Sequence, residues 1–139
     1  MATQVEVFET TIQKTNSLLK DIDTEFGWGD RRKQAYAGLR AVLHALRDRL
    51  PVTEAANLSA QLPMLVRGFY FEGWKPESVP KKMHREEFLG AVNREFGFAV
   101  EGGMEALVGG VMHALARHID PRALDDVKEE LPKDIAALF

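Results

Sequence analysis

An all-α fold, a compact multi-helix domain built from two pseudo-symmetric helical repeats, is what the sequence predicts, and three observations predict it. A Leu-Pro pair occurs twice, at Leu62-Pro63 and Leu131-Pro132, 131 − 62 = 69 residues apart. At that offset one apolar row falls on another: Leu39, Val42, Leu43, Leu46 and Leu50 on Val108, Val111, Met112, Leu115 and Ile119, with His44-Ala45-Leu46 on His113-Ala114-Leu115. Within each row the apolar residues recur at three and four positions, the period of an α-helix.

The first helix is expected from a cap at Thr3 to about Glu25. Val5, Phe8, Ile12, Leu19 and Ile22 fill one stripe at about 100° per residue, and Glu6 follows Thr3 at the capping-box spacing. Gly27 is placed to end the helix in the left-handed conformation, with Gly29 loosening the turn. Phe26 and Trp28 flank that glycine and are expected to plug the core at the helix exit. Asp30 then reads as the cap of a second helix lasting to Leu50. Its apolar stripe is Leu39, Val42, Leu43, Leu46 and Leu50, and Ala37, Ala41 and Ala45 line the opposite side. Ala106, Gly110 and Ala114 line the same side of the second long helix. Small residues four apart set a short interaxial distance. Glycine at 110 costs about 1 kcal/mol in a helix interior and so needs a packing reason. Both long helices are therefore expected near the centre, packed on two sides.

Pro51 stops the long helix, and a short one starts at Val52 or Thr53 and carries Ala55, Leu58 and Leu62. Its counterpart opens on Asp120-Pro121, a cap followed by proline at the first helical position, and carries Leu124, Val127 and Leu131. Pro63 and Pro132 restart the chain into Val66, Phe69 and Tyr70, matched by Ile135, Leu138 and Phe139. Residues 71–74 have no match in the second repeat. The connector 75–82 holds two prolines and four charges, the composition of a solvated linker. Met83 is expected to open the next helix, with Phe88, Leu89, Val92 and Phe96 on one face. Glu95-Phe96-Gly97-Phe98 echoes Glu25-Phe26-Gly27-Trp28 at 95 − 25 = 70, and Glu101-Gly102-Gly103 opens the second long helix.

At 139 residues one domain is expected over residues 1–139, as a repeat at 1–74, a linker at 75–82 and a repeat at 83–139. The whole chain can bury about 68% of its unfolded surface, whereas a unit of about 60 residues alone is marginal. A net charge of −3 disfavours phosphate binding as the main role. The absence of cysteine excludes disulfides, thiolate metal sites and a cysteine nucleophile, and fits a cytoplasmic protein. The first residues show no basic region ahead of an apolar run, so a signal peptide is not expected. No stretch approaches roughly 18 uninterrupted apolar residues, so no membrane span is expected either.

The run Leu46-Arg47-Asp48-Arg49-Leu50-Pro51-Val52-Thr53-Glu54-Ala55-Ala56, then Ala60-Gln61-Leu62-Pro63-Met64-Leu65-Val66-Arg67-Gly68-Phe69-Tyr70-Phe71-Glu72-Gly73-Trp74, closely resembles the bacterial family catalogued as domain of unknown function 2267. Glu130-Leu131-Pro132 through Leu138-Phe139 is similar to that family's ending. The resemblance covers nearly the whole chain and implies an all-α duplicated domain in bacteria. It implies no activity and no site residues.

Candidate sites follow from the residues. His44 and His113 hold equivalent positions; facing each other across a pseudo-dyad they would make a metal-binding or pH-sensitive pair. Each lies off its leucine stripe, toward the flank, and Asp48 is the one carboxylate four residues from either ring. A partly buried or exposed structural histidine is the competing reading. With no His-Glu-x-x-His and no second ligand pair, no metal site is assigned. Met64, Arg67, Tyr70, Phe71, Glu72 and Trp74 form a candidate interaction surface, because residues 71–74 are not explained by the shared repeat; a helix buried on most sides is the alternative. Arg31-Arg32-Lys33 and Lys81-Lys82 with His84-Arg85 are basic clusters that would serve nucleic acid only by converging on one face. The short helices offer Glu54, Asp125, Asp126, Glu129 and Glu130, which repel phosphate. Ser17, Ser59 and Ser78 lack a nucleophile elbow, and no glycine run forms a phosphate loop.

The sequence is read as a cytoplasmic protein-interaction or regulatory module, with a protein partner or self-association. The alternatives are a nucleic-acid-binding helical protein, and a small-molecule-binding protein or enzyme with a pocket between the repeats. No catalytic residue and no cofactor are assigned, and catalysis is not the favoured reading.

Overall fold

The computed structural model describes residues 5–139. Eight α-helices run through the described residues: α1 (Glu6–Phe26), α2 (Arg32–Arg49), α3 (Val52–Ser59), α4 (Met64–Phe71), α5 (Arg85–Phe96), α6 (Gly103–Leu115), α7 (Pro121–Glu130) and α8 (Lys133–Ala136). A single 3₁₀ turn, Pro76–Ser78, interrupts the exposed connector, and the described residues contain no strand. The fold is all-α.

α2 is the centre. Leu39, Val42, Leu43, Leu46 and Leu50 are wholly buried, and on the small-residue side so is Ala41, with Ala45 4% exposed. Burial on both sides is what the two stripes require. α5, α6, α1 and α4 all pack on it. The close approach is concentrated at Gly38, where an added methyl would meet Leu107 Cδ1 at 3.2 Å and Phe96 Cε1 at 3.5 Å. α1 packs on α6 and α2 on α5, so each end of the chain is covered largely by the other. α3 lies on α7, and the core closes with Phe88, Val92, Val108, Val111, Leu115, Val127 and Ile135.

Helix signals read from sequence hold where they depend on neighbouring residues. Gly27 ends α1 at φ 66°, and its amide and that of Trp28 bond back to Thr24 and Asp23 carbonyls. Asp120 caps α7 by accepting from the Arg122 amide at 2.9 Å, with Pro121 at the first helical position. Pro63 and Pro132 open α4 and α8. Phe26 stacks on Trp28, ring centroids 4.6 Å apart, and packs against the core. The reason for glycine at 110 is this ring: a methyl there would overlap Phe26. An aromatic side chain, rather than a second backbone, occupies the space.

The expected Thr3 cap lies outside the described residues; α1 begins at Glu6 after Val5, which makes no side-chain cap. Four other expectations fail, each for a tertiary reason. Val5, Phe8 and Ile12, expected on the buried stripe, are exposed, and α1 buries Thr11, Thr15, Leu18, Leu19, Ile22 and Asp23 instead. α1 has 21 residues and its partner α6 has 13, about 31 Å against about 20 Å, so the N-terminal turns of α1 overhang the body that would cover them. Asp30 is not the cap of α2, because that position is Arg31. Buried Asp23 holds Arg32 against the end of α1, the helix starts there, and Asp30 is left one residue too early. Met83 precedes α5 rather than opening it; it is buried, and its carbonyl accepts from Arg49 Nε at 3.0 Å. α6 stops at Leu115, not Ile119: Arg117 and His118 amides bond three residues back, to Ala114 and Leu115, and tighten the last turn.

Candidate interaction surface and the histidine contacts

The six residues of the candidate surface take five different roles. Tyr70 is fully buried, and its hydroxyl donates to the Ala55 carbonyl at 2.9 Å. Burial pushes its phenol well above the ordinary tyrosine range. Phe71 and Trp74 are half-buried and tilt against each other, centroids 5.0 Å apart, at the edge of the core. Glu72 is exposed and ion-paired with Arg40. Arg67 donates to the Ser59 and Leu62 carbonyls at 3.0 and 3.2 Å, so its charge sits on the C-terminal end of α3, where a cation is favoured. Of the apolar residues among the six, Met64 stands out into solvent, and the neighbouring Leu65 stands out with it.

Residues that sequence reasoning missed complete the surface. The Leu65 amide donates to Thr11 Oγ1 at 2.8 Å, which sets the start of α4 beside the overhanging turns of α1. A groove of about 490 Å³ lies between them, lined by Val7, Lys14, Leu62, Met64, Arg67 and His118 among others. The signal that could have found it was length: α1 is nine residues longer than its echo α5, 21 − 12 = 9.

The end of α4 is gripped from α2. Arg47, only 5% exposed, places NH1 2.6 Å from both the Tyr70 and Glu72 carbonyls. His44, only 6% exposed, has Nε2 2.6 Å from the Phe69 carbonyl and Nδ1 2.5 Å from Glu95 Oε1. His113 Nδ1 instead meets Glu25 Oε1 at 2.7 Å in an exposed contact. The two rings are therefore not brought together; each turns to a glutamate from the other half of the chain. Glu95, and not Asp48, is the carboxylate on His44, while Asp48 takes Arg47 Nε at 3.1 Å. Glu25 and Glu95 were visible as the first residues of the echoed motif, but nothing local ties them to a histidine. His118 repeats the chemistry, with Nε2 2.6 Å from Asp21 Oδ2.

Among the described residues no three histidine, cysteine or acidic side chains gather as a metal site would need. The basic clusters lie at opposite ends of α2. Arg32 begins the helix and the Lys81 amide bonds the Asp48 carbonyl near its end, 48 − 32 = 16 residues away, or about 24 Å. On the α3–α7 face, partial burial and the charges of Asp126 and Glu130 raise Glu54 above the ordinary carboxylate range. Asp134 is lowered, chiefly by accepting the Arg85 amide at the start of α5. No helix among the described residues is long and apolar enough to cross a membrane.

No curated protein matches the chain. A family model does, across residues 15–138, which takes in all of the helical body described above except the overhanging turns of α1: the chain belongs to the uncharacterized conserved protein family DUF2267.

Proposed function

We propose that this domain is a cytoplasmic protein-interaction module whose docking face is the overhang of α1 together with the start of α4. The observation that carries the reading is that Val7, Phe8, Ile12, Met64 and Leu65 all stay at least 42% exposed on two elements joined by the Thr11–Leu65 hydrogen bond. Large apolar side chains gathered in water mark association sites. The groove between the two helices suits an apolar helix face from another protein or a second copy, and Lys14 and Arg67 rim it. Light scattering over a range of concentrations, with affinity capture, tests the reading. Association is expected in the wild type and its loss in a Phe8→Ser, Leu65→Ser double variant of unchanged helix content. A strict monomer that retains no partner counts against it.

We also infer that the halves are copies of one unit that shelter each other. The packing supports this: exchanging the halves turns α1 on α6 into α5 on α2, both present, and maps α2–α6 and α3–α7 onto themselves. Residues 1–74 and 83–139, expressed as separate chains, are then expected to gain helical circular dichroism only when mixed, because a unit of about 60 residues is marginal alone. Independent folding of either piece would refute mutual sheltering.

A further inference from the structure

We propose that the junction between the two halves is a proton-operated clasp, with His44 as its buried sensing group. Nδ1 and Nε2 of His44 both lie at hydrogen-bond distance from oxygens, Glu95 Oε1 at 2.5 Å and the Phe69 carbonyl at 2.6 Å. A main-chain carbonyl only accepts, an ionised carboxylate only accepts, and a neutral imidazole carries one N–H. With a neutral ring and an ionised Glu95, a nitrogen lone pair would face an oxygen. The contacts close only when one further proton is present, on the ring or on Glu95. The histidine itself is only 6% exposed, so a missing contact there is costly.

The surroundings are mixed in sign. From α5 come Glu95, which favours the proton, and Arg94, which opposes it and lines the same cleft of about 270 Å³. From α4 comes the negative end of the helix dipole at Phe69, with Glu72 just beyond. From α2 itself come Asp48 in favour, and Arg40 and Arg47 against. Both arginines are already engaged by acceptors: Arg40 by Glu72 and, at 3.5 Å, Glu95, and Arg47 by Asp48 and the α4 carbonyls.

Two outer contacts repeat the arrangement between halves, His113 with Glu25 and His118 with Asp21. There Arg117 approaches both carboxylates, at 3.4 Å and 3.9 Å, so each keeps a cation when its histidine is neutral. Glu95 keeps Arg40 at 3.5 Å in the same way; the inner contact differs in that the Phe69 carbonyl and Glu95 share one buried ring. A neutral ring has one N–H for two acceptors, so withdrawing the proton opens its contact to Glu95 or to Phe69, while Arg47 keeps its hold on the end of α4. A proton held more tightly in the folded than in the unfolded chain makes stability fall as pH rises.

Urea unfolding of the full chain between about pH 5.5 and about pH 8.5 tests this, across the range in which histidine changes charge. In the wild type the unfolding constant is expected to rise with pH, up to about tenfold per pH unit for one proton. Glu95→Gln offers an amide N–H where the proton sat, so a neutral His44 satisfies both contacts and the dependence is expected to flatten. His44→Gln is expected to flatten it too, and the His113→Gln, His118→Gln pair to leave most of it. Nitrogen-15 spectra of the wild-type rings decide the matter even if a variant does not fold: the clasp requires an extra proton on the His44–Glu95 pair at neutral pH. A neutral ring beside an ionised Glu95 there, or a pH dependence undiminished in both His44→Gln and Glu95→Gln, would overturn the proposal.

Discussion

His44 and His113 stand 113 − 44 = 69 positions apart, each on a long helix and each against a glutamate from the far half, yet one side chain is 8% exposed and the other 69%. The difference comes from the helix that follows. In the N-terminal half α4 has eight residues, and its final carbonyls come down onto His44 and Arg47. In the C-terminal half α8 has four, and the position matching Arg47 is Ala116. A polar group on a central helix becomes critical when a neighbouring helix brings unpaired carbonyls to it; otherwise it remains a surface contact of small energetic weight.

The largest expected effect sharpens this contrast. Arg47→Ala strands the Tyr70 and Glu72 carbonyls and is expected to lower unfolding free energy by about 2–4 kcal/mol in urea titrations. Arg117→Ala, on the exposed side, is expected to cost under about 1 kcal/mol. Equal losses would mean that the grip on α4 is not what separates the halves. Next comes Gly110, which matches Ala41 at the same offset. Gly110→Ala drives a methyl into the Phe26 ring and is expected to destabilise by about 1–3 kcal/mol. Gly68→Ala, in α4 with open space around it, is expected to stabilise by about 0.5–1 kcal/mol. Thermal midpoints moving in the same direction for both would break the packing account.

The smallest effect concerns α3 against α7. Glu54 is raised by burial and by Asp126 and Glu130, so the folded chain holds its proton more tightly than the unfolded chain does. That contribution is present in acid and is lost as pH rises through the raised value. Glu54→Gln is thus expected to gain a few tenths of a kcal/mol at neutral pH, the gain vanishing in acid where the wild-type carboxyl is already protonated. A gain that persists unchanged in acid would remove electrostatics as its cause.

Much of the fold was legible because its signals are local. Gly27, Pro63, Asp120-Pro121 and Pro132 act on backbone within one turn of themselves, and each ends or opens a helix where expected. The leucine stripe of α2 and the valines of α6 needed only the 100° period. The candidate site was half legible. Apolarity marked residues 64–71 as a place of contact, but periodicity does not distinguish Tyr70, turned in to Ala55, from Met64, turned out. Phe8 and Ile12 carry the same signal as Leu19 and Ile22 and end in water, because coverage depends on how far another helix reaches.

The residue order by itself determined an all-α chain, the helix ends marked by Gly27, Pro63, Asp120-Pro121 and Pro132, and which rows of side chains seek a core; these are consequences of backbone geometry and hydrophobic period over a few residues. Tertiary structure alone decided that His44 would meet Glu95 and the end of α4, that Gly110 would lie under Phe26, and that the first turns of α1 would have no cover. Those outcomes depend on distances between helices far apart in the chain, and no period along a single helix encodes them.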